Sequence, residues 1–102
     1  MIPIYRSPAA EQELQDIWLA IAINNPTAAT RMLHTIANRI NRLATHPRLG
    51  PRRPEIAPSA RVLVEGPYLI LFEIWPDTDD GVVERVDVIR VVDGRRNLST
   101  AL

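Results

Sequence analysis

The apolar positions of this chain follow two different periods. Ala10, Leu14, Ile17, Trp18 and Ile21 are spaced so that they fall on one face of an α-helix. Ala29, Leu33, Ile36, Ile40 and Leu43 step by four and three in alternation, which predicts a second amphipathic helix. Ser7-Pro8 and Asn25-Pro26 each put a capping side chain before a proline, the chemistry of an N-cap followed by the first helical position. Glu11, Glu13 and Asp16 stand early in the first helix, where the helix dipole favours acids. Asn24-Asn25-Pro26 stops the first helix and His46-Pro47 the second. The short connection between them predicts an antiparallel helical hairpin.

Elsewhere the pattern is that of strands. Ile2-Pro3-Ile4-Tyr5 is a short extended segment, and Pro3 marks it as an edge strand or a strand start. From Gly50 to Ser59, Pro51, Pro54 and Pro58 flank Arg52 and Arg53 in a stiff loop. Arg61–Val64 leads into the turn signal Glu65-Gly66-Pro67. In Tyr68–Trp75, Ile70, Phe72 and Ile74 share one face while Leu69, Leu71, Glu73 and Trp75 share the other. Pro76–Gly81 reads as a hairpin loop and Val82–Val92 as the last strand. In that strand Val86 and Val88 take one face, Ile89 and Val91 the opposite one. Apolar residues on both faces predict a central strand or a bulge.

The expected architecture is α+β, in the order β-α-α-β-β-β. A short N-terminal strand and an antiparallel helical hairpin precede an antiparallel β-meander, and the hairpin packs on one face of the sheet. Residues 1–102 form one domain. Because helices cover only one face, Leu69, Leu71 and Trp75 are expected to be exposed on the other unless a partner covers them.

Composition narrows the chemistry. The chain has no cysteine, which excludes disulfides, thiolate metal sites and a cysteine nucleophile. Its longest apolar run, Ile17–Ile23, is far short of the ~20 residues of a membrane span. The N-terminus lacks an apolar leader, so a cytoplasmic protein without membrane contact is expected. His34 and His46 lie twelve residues apart without an HxxxH pair, so no metal site and no cofactor are expected. Asp77-Thr78-Asp79-Asp80-Gly81 begins like a calcium loop, but its twelfth position is Val88, not the required acid; an acidic turn is the better reading. Neither a GxSxG elbow nor a glycine-rich phosphate loop is present.

All twelve basic residues are arginine. Guanidinium forks suit phosphate and carboxylate recognition, although a compositional bias acting on the whole chain has the same result. The formal net charge of zero hides a segregation. Seven arginines and one acid lie between Arg31 and Arg61, followed by eight acids and two arginines between Val62 and Asp93. Arg31, Arg39 and Arg42 read as a solvated helix face. Arg52, Arg53 and Arg61, together with Arg90, Arg95 and Arg96, are candidates to converge on one anion-binding edge.

These segments resemble the ParE branch of the RelE/ParE superfamily, the toxins of bacterial type II toxin–antitoxin modules. The resemblance is carried by Tyr5 through Asp16, by NPTAA at 25–29, by LATHPRLG at 43–50, by Arg61-Val62-Leu63, by Tyr68 through Phe72 and by IRVVDGRRNL at 89–98. The last of these is the most specific, although members often have a histidine where Asp93 stands. The resemblance implies one of two activities. RelE-like members cleave mRNA on the ribosome with basic residues plus a C-terminal Tyr or His; ParE-like members inhibit DNA gyrase. Arg61 and Arg90 match phosphate-contacting positions, but Asp93 and Asn97 fill the stretch where the proton-transfer group is expected. Arginine stabilises phosphate charge without serving as a base, so inhibition of gyrase by binding, without catalytic residues, is favoured. The alternatives are a ribosome-dependent endonuclease and a degenerate toxin that binds only its antitoxin.

The resemblance also implies a cognate ParD-like antitoxin that folds on binding. No small-molecule substrate is implied, and nucleic acid is met only through the target or the antitoxin complex. Arg52, Arg53, Arg61, Arg90, Arg95 and Arg96 are the expected target contacts. Trp18, Leu69, Leu71 and Trp75 are the expected antitoxin contacts.

Overall fold

Ser7 and Asn25 start the two helices as their sequence context predicts. A computed structural model describes residues 1–95. In it, strand β1 (Ile4–Arg6) is followed by helices α1 (Pro8–Ala22) and α2 (Pro26–Asn41), and then by strands β2 (Arg61–Glu65), β3 (Tyr68–Trp75) and β4 (Arg85–Asp93). The Ser7 hydroxyl accepts from the Ala10 N–H at 2.9 Å, and the Asn25 side-chain carbonyl from the Ala28 N–H at 3.0 Å. Each satisfies a backbone donor that the first helical turn leaves without a partner. After Asn41 the second helix tightens into a 3-10 turn, Arg42–Ala44, before His46-Pro47.

The sheet order is β1-β4-β3-β2. β2, β3 and β4 form the expected antiparallel meander. β1 is an edge strand, as Pro3 suggests, and it runs parallel to β4 with Ile4 opposite Val86 and Arg6 opposite Val88. The sheet is therefore mixed. A parallel pairing needs a long crossover between its strands, and here everything from α1 to β3 supplies it. β4 begins at Arg85, three residues later than its apolar pattern suggests, although Val83 is already buried.

The apolar residues on both faces of β4 have both expected causes. The strand is central, and a bulge interrupts it: Leu71 pairs with Arg90 but Phe72 pairs with Val88, which leaves Ile89 as the extra residue. An extra residue reverses the alternation of side chains beyond it. Val91 therefore joins Val86 and Val88 in the helix-side core, instead of sharing the opposite face with Ile89.

The bulge coincides with the point where β1 ends, and α1 completes the exposed edge of β4. Ser7 N donates to Val88 O at 2.9 Å, and the Ser7 hydroxyl donates to Ile89 O. The Glu13 carboxylate accepts from Val91 N at 3.0 Å. Backbone groups that a neighbouring strand would otherwise pair are thus satisfied by the Ser7 N–H and by the Ser7 and Glu13 side chains.

The main core lies between hairpin and sheet. Ile36, Ile40 and Leu43 of the helical segment meet Ile70, Phe72, Val86, Val88 and Val91, and all eight are almost completely buried. A smaller cluster occupies the other face, where Val62, Leu71 and Val92 pack with Ile56 and Leu69. The proline-rich loop brings Ile56 over the sheet. The expected exposure of Leu71 is therefore corrected: it is 2% accessible because the chain's own loop covers it.

Candidate functional site

The five candidate arginines among the described residues, Arg52, Arg53, Arg61, Arg90 and Arg95, do not form one edge. Residues directly opposite on antiparallel strands share a face. Arg61 is opposite Phe72, on the helix side, whereas Arg90 is opposite Leu71, on the loop-covered side. The two cations that looked equivalent in sequence are directed to opposite faces of the sheet.

Arg61 belongs to a clasp between two loops. Its side chain is 6% accessible. One terminal nitrogen donates to Gly50 O at 3.1 Å and the other reaches Asp79 at 3.5 Å. Its Nε is buried without a partner. Burial, with the nearby Arg52 charge second, pushes its pKa below the ordinary value, yet it stays cationic at any physiological pH. Arg52 completes the clasp with 2.8 Å contacts to both Asp77 and Asp79. These hydrogen bonds, to Asp79 first, raise the Arg52 pKa, and the Arg52 hydrogen bond holds the Asp79 carboxyl below its usual range. Arg48 binds the same loop through its backbone, donating to Thr78 O at 3.0 Å and Gly81 O at 3.1 Å. The acidic turn at 77–81 is thus a counter-ion for arginines that precede it in sequence.

At the far edge, Arg90 is held by Glu13 in a two-pronged pair with contacts of 2.6 and 2.9 Å. The Glu13 hydrogen bond raises the Arg90 pKa. Arg53 pairs with Glu55 at 2.7 Å, which lowers the Glu55 pKa. Arg95 pairs with Asp93, which raises the Arg95 pKa, so the residue standing in place of a histidine serves as a local counter-ion. Arg96 and Asn97 lie outside the described residues.

This geometry also corrects the charge picture. The basic and acidic segments are separated along the sequence but fold against one another: Arg52 and Arg61 meet Asp77 and Asp79, and Arg39 meets Glu65 at 3.6 Å. Much of the apparent polarity is cancelled inside the fold. Arg48 and Glu13 are the contributors that sequence reading undervalued. Arg48 entered only as one charge among seven, and Glu13 only as a helix-dipole acid; neither carries a motif that names its distant partner.

The apolar candidates divide similarly. Leu71 is buried and Leu69 is half-buried in the small cluster. Trp75 is 52% accessible, with the Arg85 guanidinium over its ring. Trp18 is half-buried on the helical hairpin, its indole N–H 3.3 Å from the Thr30 hydroxyl. It lines a shallow groove of about 400 Å³ with Arg6, Glu11, Leu14, Gln15, Leu19 and Leu33. Both histidines are exposed on the helical segment and its exit. Among the described residues no three His, Asp or Glu side chains gather as a metal site.

Comparison with known proteins agrees with this architecture. The family described as "ParE toxin of type II toxin-antitoxin system, parDE" matches residues 4–98. Toxin ParE3 of Caulobacter vibrioides is 28% identical over 100 residues, covering 97% of this chain and 93% of the relative. A solved structure titled "Chromosomal ParDE TA system from P. aeruginosa" shares the fold, with a TM-score of 0.73 and 19% identity over 91% of this chain and 96% of that one. The match spans both helices and all four strands, and on that basis the chain belongs to the ParE toxin family of type II toxin–antitoxin systems.

Proposed function

We propose that this chain arrests growth by binding DNA gyrase, and that a cognate ParD-like antitoxin restrains it. The separation of Arg61, held in the clasp with Gly50 and Asp79, from Arg90, held at the β4 edge by Glu13 of α1, is the observation that carries binding over RNA cleavage. Stabilising a scissile phosphate requires preorganised donors aimed at one point, and these two cations are each committed to a different internal partner. Among the described residues, Arg53 and Arg95 pair with carboxylates two residues away. Such exposed pairs exchange partners at little cost, which favours these arginines, with Arg52 and Arg96, as contacts to the target.

The antitoxin reading is supported by the structural relative, whose title names a ParDE system, and by the groove at Trp18. A shallow apolar groove between two helices suits an amphipathic segment that folds as it docks. Trp75 is the second proposed antitoxin contact. The setting is the cytoplasm, where the target and the antitoxin would both be met.

Expression without antitoxin tests the proposal. Growth arrest accompanied by a DNA-damage response, linearised DNA and intact mRNA is the expected outcome, with inhibition of purified gyrase supercoiling in vitro. Ribosome-dependent mRNA cleavage without DNA damage would overturn it in favour of the nuclease.

A further inference from the structure

The loop that covers Leu71 leaves the other half of that sheet face open. Tyr5 pairs with Asp87, and Asp87 with Glu73, so one row crosses β1, β4 and β3; Trp75 pairs with Arg85 in the next row. Both aromatic residues are more than half exposed, Tyr5 at 57% and Trp75 at 52%.

The charges in this row are unbalanced. Like charges directly opposite on neighbouring strands repel, with Cβ atoms about 4.5–5.5 Å apart. Arg85 compensates Asp87 through a 3.1 Å contact. Glu73 is held by the neutral Ser59 hydroxyl at 2.7 Å, and no cation among the described residues pairs with it. Arg85 also shows what this surface accepts. Its guanidinium lies 5.3 Å from the centre of the Trp75 ring while binding the Asp87 carboxylate, which joins a cation–π contact to a charge-assisted hydrogen bond.

We propose that Tyr5, Glu73, Trp75 and Asp87 form a docking face for an arginine-bearing segment of a partner protein, and that the partner's guanidinium supplies the cation that Glu73 lacks. The inference follows from the charge and aromatic content of this half-face; it shares only Trp75 with the antitoxin reading and nothing with the gyrase reading, so either can fail without the other. Nucleic acid does not suit it, because the carboxylates repel phosphate.

The test is titration of the 15N-labelled chain with a capped Gly-Arg-Gly-Arg-Gly peptide, with the citrulline counterpart as the neutral isostere. The Trp75 indole N–H and the backbone amides of Tyr5, Glu73 and Asp87 are expected to shift with the arginine peptide alone. Glu73→Gln with Asp87→Asn should weaken binding about tenfold, the loss of one charge-assisted contact. Glu73→Gln alone removes a like-charge neighbour, so it should remain folded and still bind less. The proposal is overturned if the citrulline peptide binds equally well, if the shifts centre on other acids such as Glu11 and Asp16, or if Glu73→Gln leaves affinity unchanged. It is also overturned if the same amides shift on concentrating the chain alone, which would identify the occupant as a second copy.

Discussion

The two faces of the sheet are covered by different means. A helical hairpin covers one, where Ile36, Ile40 and Leu43 close over Phe72 and the valines of β4. A proline-rich loop covers half of the other, with Ile56 above Val62, Leu71 and Val92. Helix on sheet makes a continuous core; a loop leaves a rim where aromatic and charged side chains remain accessible. Stability should therefore concentrate on the first face, and tolerance to change on the second. Phe72→Ala is expected to cost about 3–5 kcal/mol, whereas Leu71→Ala should fall near 2 kcal/mol because the loop can settle into the gap. Chemical denaturation of both variants checks the contrast. Equal losses would break it and make the loop-side cluster a second core.

Gly50 lies where the two coverings meet. A Cβ there would stand 2.6 Å from both the Phe72 ring and Val62 O, while the glycine's own carbonyl accepts from Arg61. Gly50→Ala should destabilise by about 1–3 kcal/mol through overpacking. Combining it with Phe72→Leu, which removes the ring edge, should cost less than the sum of the two changes. Strict additivity would show that the backbone contact at Val62, not the ring, sets the requirement.

The edge of β4 offers a smaller effect of a different kind. Glu13 serves two clients there, the Arg90 guanidinium and the Val91 N–H. Glu13→Gln keeps the shape but loses the charge, and an expected loss of about 1 kcal/mol should appear with faster amide exchange at Val91. Unchanged exchange would mean that the carboxylate is not what protects this edge.

Local rules made much of this fold legible. Ser7-Pro8 and Asn25-Pro26 announced both helix starts, and alternation in Tyr68–Trp75 separated the two faces of β3 correctly. Alternation failed in β4, because a single inserted residue at Ile89 reverses every side chain beyond it; apolar residues on both faces signal a bulge but do not say at which residue it falls. The candidate site was less legible for a related reason. Whether Arg61 and Arg90 converge depends on strand register and on that bulge, and neither is visible in composition or charge. The parallel pairing of β1 was likewise unspecified, since Ile2-Pro3-Ile4-Tyr5 reads as an edge strand in either direction. Pro51, Pro54 and Pro58 mark the loop covering Leu71 as stiff, yet its destination is set by tertiary contacts of Ile56.

The smallest expected effect separates the two coverings by pH. Asp79 has its pKa lowered by the Arg52 hydrogen bond, and Arg61 adds to the lowering. A carboxyl with a depressed folded-state pKa stabilises the fold above its unfolded pKa, about pH 4, and loses that contribution as pH falls through the folded value. The Asp79 clasp therefore acts at neutral pH and fades in acid. Asp79→Asn should be slightly less stable than the parent at pH 7, and the two stability curves should converge as the pH falls through the depressed folded-state value. Phe72→Ala removes apolar contacts that do not titrate, so its offset from the parent should persist across the same range. If the Asp79→Asn offset also persisted in acid, the clasp would owe its stability to the shape of the 76–81 loop rather than to its charge, and loop and hairpin would be holding the sheet by the same physics.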